Sequence, residues 1–257
     1  MNEEQKEHIS NAIKAGYRLD GRKLDQFREI TIETNCISTA EGSARVKAGE
    51  TEVIAGVKLS VGNPFSDRPD EGVLMVGAEL LPLSNPEFES GPPSVESIEV
   101  ARVIDRGIRE GKAMNTKKLC IEKGEKVWIV QADICPINTD GNLIDIGALA
   151  VLAALRTTVF PEYKDGVIDY KTPTKKKLEL LSEPITVTVL KIGDNFVIDP
   201  TDEETQALDS RLTAAFLADG TLCAMQKGGE MALTIEDIET MLNLAEEKSR
   251  ELRGILG

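Results

Sequence analysis

A run of about ten apolar residues, Ile146–Leu155, constrains the fold of this chain more than any other segment. It is too short to cross a bilayer, because a membrane-spanning helix needs about 20 apolar residues. The segment stays apolar on nearly every side as far as Thr157, which predicts a central buried helix that ends near Pro161. A domain core must form around such a helix, and 257 residues are enough for one large domain or two small ones.

Strand patterns lie on both sides of this helix in the sequence. Apolar residues alternate with others over Val53–Val61, which is typical of a half-buried strand. Further strands are predicted at Phe27–Glu33, Val73–Leu81, Leu119–Glu122 and Lys126–Pro136, with a hairpin bend over Ser43–Ala48. Two later hairpins are predicted to turn at Gly193-Asp194 and at Asp219-Gly220. Further helices are expected from the start to about Ala15, over Pro93–Met114, and from about Thr234 to the end. The second of these helices is expected to bury one apolar stripe, formed by Ile98, Ala101, Ile104 and Ile108.

Strands followed by a helix therefore occur twice, which predicts an α+β fold of mixed sheets packed with helices in two similar halves. A connector rich in Lys, Asp, Thr and Pro lies between Pro161 and Pro184. Such a shift in composition indicates a subdomain boundary. We therefore expect an N-terminal subdomain with a leading helix at residues 1–183 and a C-terminal subdomain at residues 184–257.

Charge and composition exclude several classes of function. Lys and Arg number 30 and Asp and Glu 44, a net charge of −14, so contact with a polyanion must come from a local patch or from a partner. His8 is the single histidine, which excludes Ser-His-Asp triads and H-E-x-x-H zinc sites. Neither a P-loop nor a G-x-G-x-x-G motif is present, and no cofactor is expected. The N-terminus resembles no secretory signal, so we expect a cytoplasmic protein without a membrane partner.

Three arginines share one face of the helix predicted at Pro93–Met114. At about 100° per residue, Arg102, Arg106 and Arg109 fall within an arc of roughly 60°. This spacing suits successive phosphates of a single nucleic-acid strand, which guanidinium groups bind in a bidentate manner. A solvated face with pairs such as Asp105–Arg109 explains the same pattern. The residues alone leave both interpretations open.

Carboxylates are plentiful, in two groups that are candidates for a metal site. The first group flanks a turn and the second precedes the last hairpin: Asp133, Asp140 and Asp145, then Asp199, Asp202, Glu203, Glu204 and Asp209. Thr201-x-x-Glu204 is more typical of a helix cap, and Asp140-Gly141-Asn142 of a turn. The spacing favours these structural roles, and we predict no metal centre.

Four segments in order resemble the RNase PH family across nearly the whole chain. They are RLDGR (18–22), GSARVKAGETEVIAGV (42–57), IEVARVIDRGIRE (98–110) and VQADICPINTDGNLIDIGALAVLAAL (130–155). The longer form GPPSVESIEVARVIDRGIRE is similar to the non-catalytic RNase-PH-like subunit of the archaeal exosome. That resemblance implies an RNase PH-like fold. It also implies a place beside a catalytic sister subunit, with three heterodimers in a hexameric ring, RNA-binding cap subunits and single-stranded RNA.

The same resemblance implies that arginines of this helix hold the RNA backbone at the partner's active site. Arg102 and Arg106 are then the first candidates and Arg109 the third. Arg45, Arg18 and Arg22 are weaker candidates, and Arg18 and Arg22 are expected to bond Asp20 and nearby backbone.

The departures from the family pattern argue against independent catalysis. Val95 and Glu96 stand where catalytic members have an Arg-Arg pair, and Gln131-Ala132-Asp133 is followed by Ile134-Cys135-Pro136 instead of a phosphate-binding turn. We therefore predict no catalytic residue, although Asp209 lies near the position of the family's catalytic acid. A self-sufficient phosphate-dependent 3′–5′ exoribonuclease is the alternative, and a pure interaction protein without RNA is a third hypothesis.

Overall fold

The computed structural model describes residues 3–257, which form five α-helices and twelve β-strands. The helices are α1 (Glu3–Lys14), α2 (Val95–Glu110), α3 (Leu143–Thr157), α4 (Asp202–Gln206) and α5 (Ile235–Leu256). The strands are β1 (Ile30–Thr34), β2 (Gly42–Ala48), β3 (Thr51–Gly62), β4 (Val73–Ala78), β5 (Cys120–Glu122), β6 (Lys126–Asn138), β7 (Val159–Lys164), β8 (Val167–Lys177), β9 (Ile185–Ile192), β10 (Asn195–Ile198), β11 (Ser210–Phe216) and β12 (Leu222–Gly228). A 3-10 helix, Thr116–Leu119, precedes β5.

Helix α3 is the centre of the molecule. Every residue from Leu143 to Leu155 is buried, which confirms the buried helix predicted from its apolar run. It contacts β2, β3 and β6 of one sheet and β9 of another. The first sheet has the order β1-β2-β3-β6-β4, with β5 beside β6, and only the β4–β6 pair among these strands is parallel. Burial of α3 between the two sheets explains why its sequence has no polar face.

The C-terminal sheet has the order β10-β9-β11-β12 and is antiparallel throughout. Helix α5 contacts β9 and β11, and it buries Met241, Ala245 and Leu252. Both predicted hairpins of this half are confirmed, and a capping box formed by Thr234 and Asp237 opens α5. The α+β arrangement with strands followed by a helix in each half is therefore confirmed.

Helix α2 lies on the surface between the two halves. Ser94 caps it by accepting a hydrogen bond from the amide of Ser97, and the Ser97 hydroxyl donates to the carbonyl of Ala78 at the end of β4. A Cβ at Gly107 would lie 3.2 Å from the Thr186 hydroxyl of β9, so this position lets the helix approach the C-terminal sheet closely. The opposite face of α2 remains exposed.

Three local predictions are wrong. Ser43–Ala48 belongs to strand β2 and is no bend, because its residues pair with β1 and β3 and most are buried. The expected connector between Pro161 and Pro184 contains the hairpin β7–β8, and Trp128 contacts Phe160 of β7 edge to face. Cross-strand pairing overrides the polar composition there. Ile98, expected in the buried stripe of α2, is 48% exposed, and Val100 and Val103 are buried instead.

Within residues 3–257 no helix is both long enough and apolar enough to cross a membrane. The leading helix is confirmed from Glu3, and residues 1 and 2 of the predicted segment lie outside the described residues. His8 is exposed on this helix. The cytoplasmic location stays a prediction.

Candidate nucleic-acid interface

The three arginines predicted from helical spacing do share the exposed face of α2. Arg102, Arg106 and Arg109 are all exposed, and the residues that bury the helix lie on its other side. A rise of about 1.5 Å per residue places Arg106 about 6 Å along the axis from Arg102, and Arg109 about 4.5 Å further on. The guanidinium groups therefore form a row that follows the helix axis.

The arginines of this row differ in their ion pairs. Arg109 contacts Asp105, with Nη2 and Oδ2 3.2 Å apart, and its Nε lies 3.8 Å from a carboxylate oxygen of Glu110. Among the described residues, Arg102 and Arg106 have no carboxylate within 4.0 Å. The predicted Asp105–Arg109 pair is thus confirmed, but it accounts for one arginine of three. Arg102 and Arg106 present their charge to solvent.

The row borders an open groove of about 750 Å³, which we call the arginine groove. Its lining includes Val76 of β4 and Gln226 of β12, so the edge strands of both sheets contribute to it. Where the groove passes the N-terminal end of α2, two apolar side chains are exposed: Val95 at 85% and Ile98 at 48%. Three carboxylates, those of Glu99, Asp105 and Glu110, also line the groove. The groove thus combines guanidinium groups, some of them balanced by acids, with apolar surface, and single-stranded nucleic acid uses cationic and apolar surface for its phosphates and bases.

Sequence reasoning missed Gln226 as part of this groove. Its Nε2 is buried and has no hydrogen-bond partner among the described residues. The residue lies in the hairpin that the Asp219-Gly220 turn predicts, but no sequence signal brings β12 beside α2. Only the docking of the helix on the edge of the C-terminal sheet places this amide at the arginine groove.

Gln131-Ala132-Asp133 and the Ile134-Cys135-Pro136 that follows it are continuous within strand β6, so no turn follows the tripeptide, as its departure from the family pattern predicts. These residues lie in the middle of β6, where Ala132 pairs with Val57 of β3 and with Val76 of β4. The turn that opens α3 is instead Asp140–Asn142, where Gly141 and Asn142 have positive φ angles of 76° and 55°. A Cβ at Gly141 would lie 2.3 Å from the carbonyl of Pro200, so only glycine fits between these two loops.

A cavity of about 80 Å³ lies at the N-terminal ends of α2 and α3. Three carboxylates line this acidic cavity, those of Glu96, Glu99 and Asp202, and Arg211 is the one basic residue lining it among the described residues. Arg211 forms an ion pair with Glu99. Burial, together with the negative charge of Asp202, raises the pKa of Glu96 above its usual range, although Arg211 opposes this. The acidic cavity therefore has a negative potential that disfavours a bound anion.

The remaining carboxylates of the two predicted groups have structural partners. Asp199 is fully buried and accepts hydrogen bonds from Arg22, Arg28 and Asn142. Burial acts to raise the pKa of Asp199, but the hydrogen bonds and charge of Arg28 outweigh it and lower this pKa. Glu204 pairs with buried Arg18 and completes the capping box of Thr201, which confirms the predicted cap.

Asp209 also has a local role, since its carboxylate accepts a hydrogen bond of 2.7 Å from the amide of Gly193 in the β9–β10 turn. Within residues 3–257 no three His, Cys, Asp or Glu side chains are grouped so as to hold a metal ion. The expected bond between Arg22 and Asp20 is confirmed. Arg18 lies 3.9 Å from Asp20, and its hydrogen bonds go to Glu204 and to the carbonyls of Gln26, Ile198 and Asp199. Arg45 lies within 4.0 Å of Glu33 and Glu52 on the first sheet.

Asp145 lies in the first turn of α3, directly beyond the acidic cavity. Both of its carboxylate oxygens bind Thr188 of β9, one at the amide and one at the hydroxyl. Complete burial raises the pKa of Asp145 to about 7, against the hydrogen bonds from Thr188 that lower it. This contact joins the central helix to the C-terminal sheet.

Comparison with known proteins identifies the family and several similar proteins. A model of the 3′ exoribonuclease family (RNase PH), domain 1, matches residues 26–161, and that of domain 2 matches residues 182–248. The exosome complex component Rrp42 of Thermoplasma acidophilum is 48% identical over 98% of this chain and 95% of its own length. The protein of the same name from Methanosarcina acetivorans is 45% identical over 98% and 92%.

Solved structures show the same similarity. A chain of the Archaeoglobus fulgidus exosome with RNA bound to the active site superposes with a TM-score of 0.91 at 43% identity, covering 98% of both chains. A chain of an archaeal exosome core gives a TM-score of 0.87 at 39% identity, covering 98% of this chain and 96% of the other. These matches confirm the predicted RNase PH-like fold.

Proposed function

Because the chain belongs to the 3′ exoribonuclease (RNase PH) family, we propose that it is a non-catalytic subunit of a phosphorolytic 3′–5′ exoribonuclease ring. In this role it holds single-stranded RNA and shapes the active site of a catalytic sister subunit. The similarity to exosome components along 98% of the chain supports membership of such a complex. The arrangement of charges on α2 supports the assignment of RNA binding to this chain and of catalysis to the sister subunit.

The observation that carries the RNA-binding role is the pair of unpartnered arginines in the arginine groove. Arg102 and Arg106 are exposed, lie about 6 Å apart along α2, and have no carboxylate within 4.0 Å among the described residues. Phosphate oxygens are the partners that such guanidinium groups bind most strongly. Arg109 extends the row, but its contact with Asp105 must be weakened before it binds a phosphate.

The acidic cavity supports the proposal that the chain is inactive alone. Glu96 stands where catalytic members of the family carry an arginine, and it faces the same cavity as Glu99 and Asp202. Two like charges in contact repel by about 4 kcal/mol at an effective dielectric constant near 20. Inorganic phosphate is therefore repelled from the place at which a phosphorolytic enzyme must bind it.

The proposal includes the partners that the family resemblance implies. We expect a heterodimer with a catalytic RNase-PH-like sister subunit, three such heterodimers in a hexameric ring, and RNA-binding cap subunits. A chain with a net charge of −14 needs basic surface from its partners to thread RNA. Sedimentation of the mixed subunits is expected to show a complex of six chains, and a lone monomer in the presence of the sister subunit would contradict the ring.

The decisive experiment replaces Arg102 and Arg106 by alanine in the chain assembled with its sister subunit. RNA binding is expected to weaken by about tenfold or more in low salt, and the slope of log K against log salt to become shallower by about 0.7 for each lost phosphate contact. Arg250→Ala is the matched control, because Arg250 is exposed on α5, away from the groove. An unchanged salt slope would favour an interaction protein that does not contact RNA.

A second assay separates this proposal from a self-sufficient enzyme. The isolated chain, given phosphate and magnesium, is expected to leave single-stranded RNA intact, and activity is expected when the sister subunit is added. Release of nucleoside diphosphates by the isolated chain would contradict the proposal. Asp209→Asn is expected to leave the activity of the complex in place, since Asp209 holds the β9–β10 turn.

A further inference from the structure

We propose that the acidic cavity binds a primary alkylammonium group, such as one end of an aliphatic diamine. The cavity is distinct from the arginine groove and has the opposite charge, although Glu99 borders both. The proposal does not depend on the proposed function, because it concerns the isolated chain in the absence of RNA.

The charges that line the acidic cavity require a cation. Its three carboxylates face one guanidinium, that of Arg211, which leaves a net charge of about −2 when all are ionised. The N-termini of α2 and α3 each contribute about half a positive charge, which offsets about half of this excess and leaves the cavity negative. Asp202 also borders a second cavity, together with Asp140 and Glu203, so the negative surface continues beyond the first cavity. Burial and the charge of Glu87 raise the pKa of Asp202, consistent with an unneutralised cluster.

One buried acceptor without a partner among the described residues, Asn142 Oδ1, favours a ligand that donates hydrogen bonds. Asn142 is 7% exposed and lines the cavity, and its Nδ2 donates to Asp199 at 2.8 Å. Its Oδ1 is buried and has no partner among residues 3–257, and the same holds for the hydroxyl of Thr139, which lines the same cavity. A buried acceptor without a donor is costly. An ammonium group carries three donors and no acceptor, so it satisfies Oδ1 and a carboxylate at the same time.

The size and the apolar wall favour an alkyl chain over a metal ion. Five apolar side chains line the cavity: Val100, Leu143, Ile144, Leu190 and Pro200. Its volume of about 80 Å³ holds several water molecules or a short aliphatic chain. A magnesium or calcium ion requires several converging oxygen ligands, and the described residues contain no group of three acidic side chains so placed. In an alkylammonium ligand, the methylene groups would pack against the apolar side chains, and the ammonium group would lie beside the carboxylates. Such a ligand therefore matches both the apolar and the acidic part of the lining.

The test is a calorimetric titration of the full chain with 1,4-diaminobutane at low salt. Binding is expected with one site, and Glu96→Gln is expected to weaken it by about tenfold, because a hydrogen bond between two charged groups is lost. Thr139→Val is expected to weaken it less. Glu125→Gln is the matched control, since Glu125 is exposed in the turn between β5 and β6, outside the cavity. Equal weakening by the control, or no binding at all, would overturn the proposal.

Two further probes define the chemistry. Tetramethylammonium has the charge but no N–H donor, so it is expected not to compete with the diamine. Competition by tetramethylammonium, or by magnesium at equal concentration, would show a general cation effect and overturn the ammonium site. The amide of Nα-acetyl-lysine presents the same group on a peptide. Tighter binding of the diamine would identify a free amine as the ligand, and tighter binding of the lysine derivative would identify a protein side chain.

Discussion

The two ends of helix α2 carry opposite charge and face different spaces. Glu96 and Glu99, in the first turns, face the acidic cavity, whereas Arg102, Arg106 and Arg109 follow the arginine groove toward the C-terminal end. This order agrees with the helix dipole, which favours acids at the N-terminus and bases at the C-terminus. The arginines are exposed, and two of them have no acidic neighbour within 4.0 Å among the described residues.

The acids differ from the arginines in how far water screens them. Burial and neighbouring carboxylates raise the pKa of Glu96, whereas solvent surrounds Arg102 and Arg106. Exposed charges act on a ligand through a screened field that salt weakens, and half-buried charges act at short range. One helix therefore separates a row of exposed guanidinium groups from a half-buried cluster of carboxylates within a few turns. The following predictions test that separation.

The largest expected effect concerns Asp145, which binds Thr188 in the wall of the acidic cavity. Its pKa of about 7 in the folded chain exceeds the ordinary value of 3.8, so the folded state holds the proton more tightly than the unfolded state. The free energy of unfolding therefore falls as the pH rises from about 4 to about 7, by on the order of 4 kcal/mol from this group. Asp145→Asn removes this contribution, so the free energy of unfolding of the variant is expected to change less with pH.

Urea denaturation at pH 5 and at pH 8 measures this effect. The wild-type chain is expected to lose more stability over that interval than Asp145→Asn, and Asp67→Asn in an exposed loop serves as the control. Parallel pH curves for the wild type and Asp145→Asn would contradict the role of burial. Arginines stay charged over this interval, so RNA binding by the arginine groove is expected to change less than stability.

A smaller effect distinguishes the arginines from one another. Arg106→Ala in the assembled complex is expected to weaken RNA binding by about 1 kcal/mol more than Arg109→Ala, because Arg109 is paired with Asp105 before RNA arrives. Filter binding at several salt concentrations measures both affinities. Equal losses would show that the Asp105 pair does not reduce the contribution of Arg109. Asp105→Asn is the companion variant, and it is expected to strengthen binding through the released guanidinium.

The smallest effect is expected at Glu99, which borders both the cavity and the groove. Glu99→Gln breaks the ion pair with Arg211, and its carboxylate side chain is 44% exposed, so the loss of stability is expected to stay below about 1 kcal/mol. Thermal unfolding measures this loss, and the salt slope of RNA binding is expected to stay unchanged. A steeper slope would mean that Glu99 weakens the arginine groove in the wild-type chain.

Local patterns predicted the elements on which both regions depend. The apolar run of α3, the alternation of β3 and the two late hairpins are correct because each is a short-range periodicity or turn signal. The arginine face of α2 is correct for the same reason, since the helical repeat alone sets it. The division into residues 1–183 and 184–257 stays a prediction; the two family models match residues 26–161 and 182–248, so the second begins two residues before that boundary.

Long-range pairing produced the errors. Ser43–Ala48 and the polar segment after Pro161 are strands because of their partners, β1 and β3 in one case and the β7–β8 pairing in the other. Neither sequence period nor turn chemistry contains this information.

The amino-acid sequence by itself determined the buried central helix, the α+β pattern and the row of arginines, because these follow from the spacing of side chains within single elements. Only the tertiary structure decided that Gln226 joins the groove, and that Glu96, Asp202 and Asn142 meet around one cavity. Those residues are far apart in the chain, and their proximity depends on how α2 and α3 pack between two sheets.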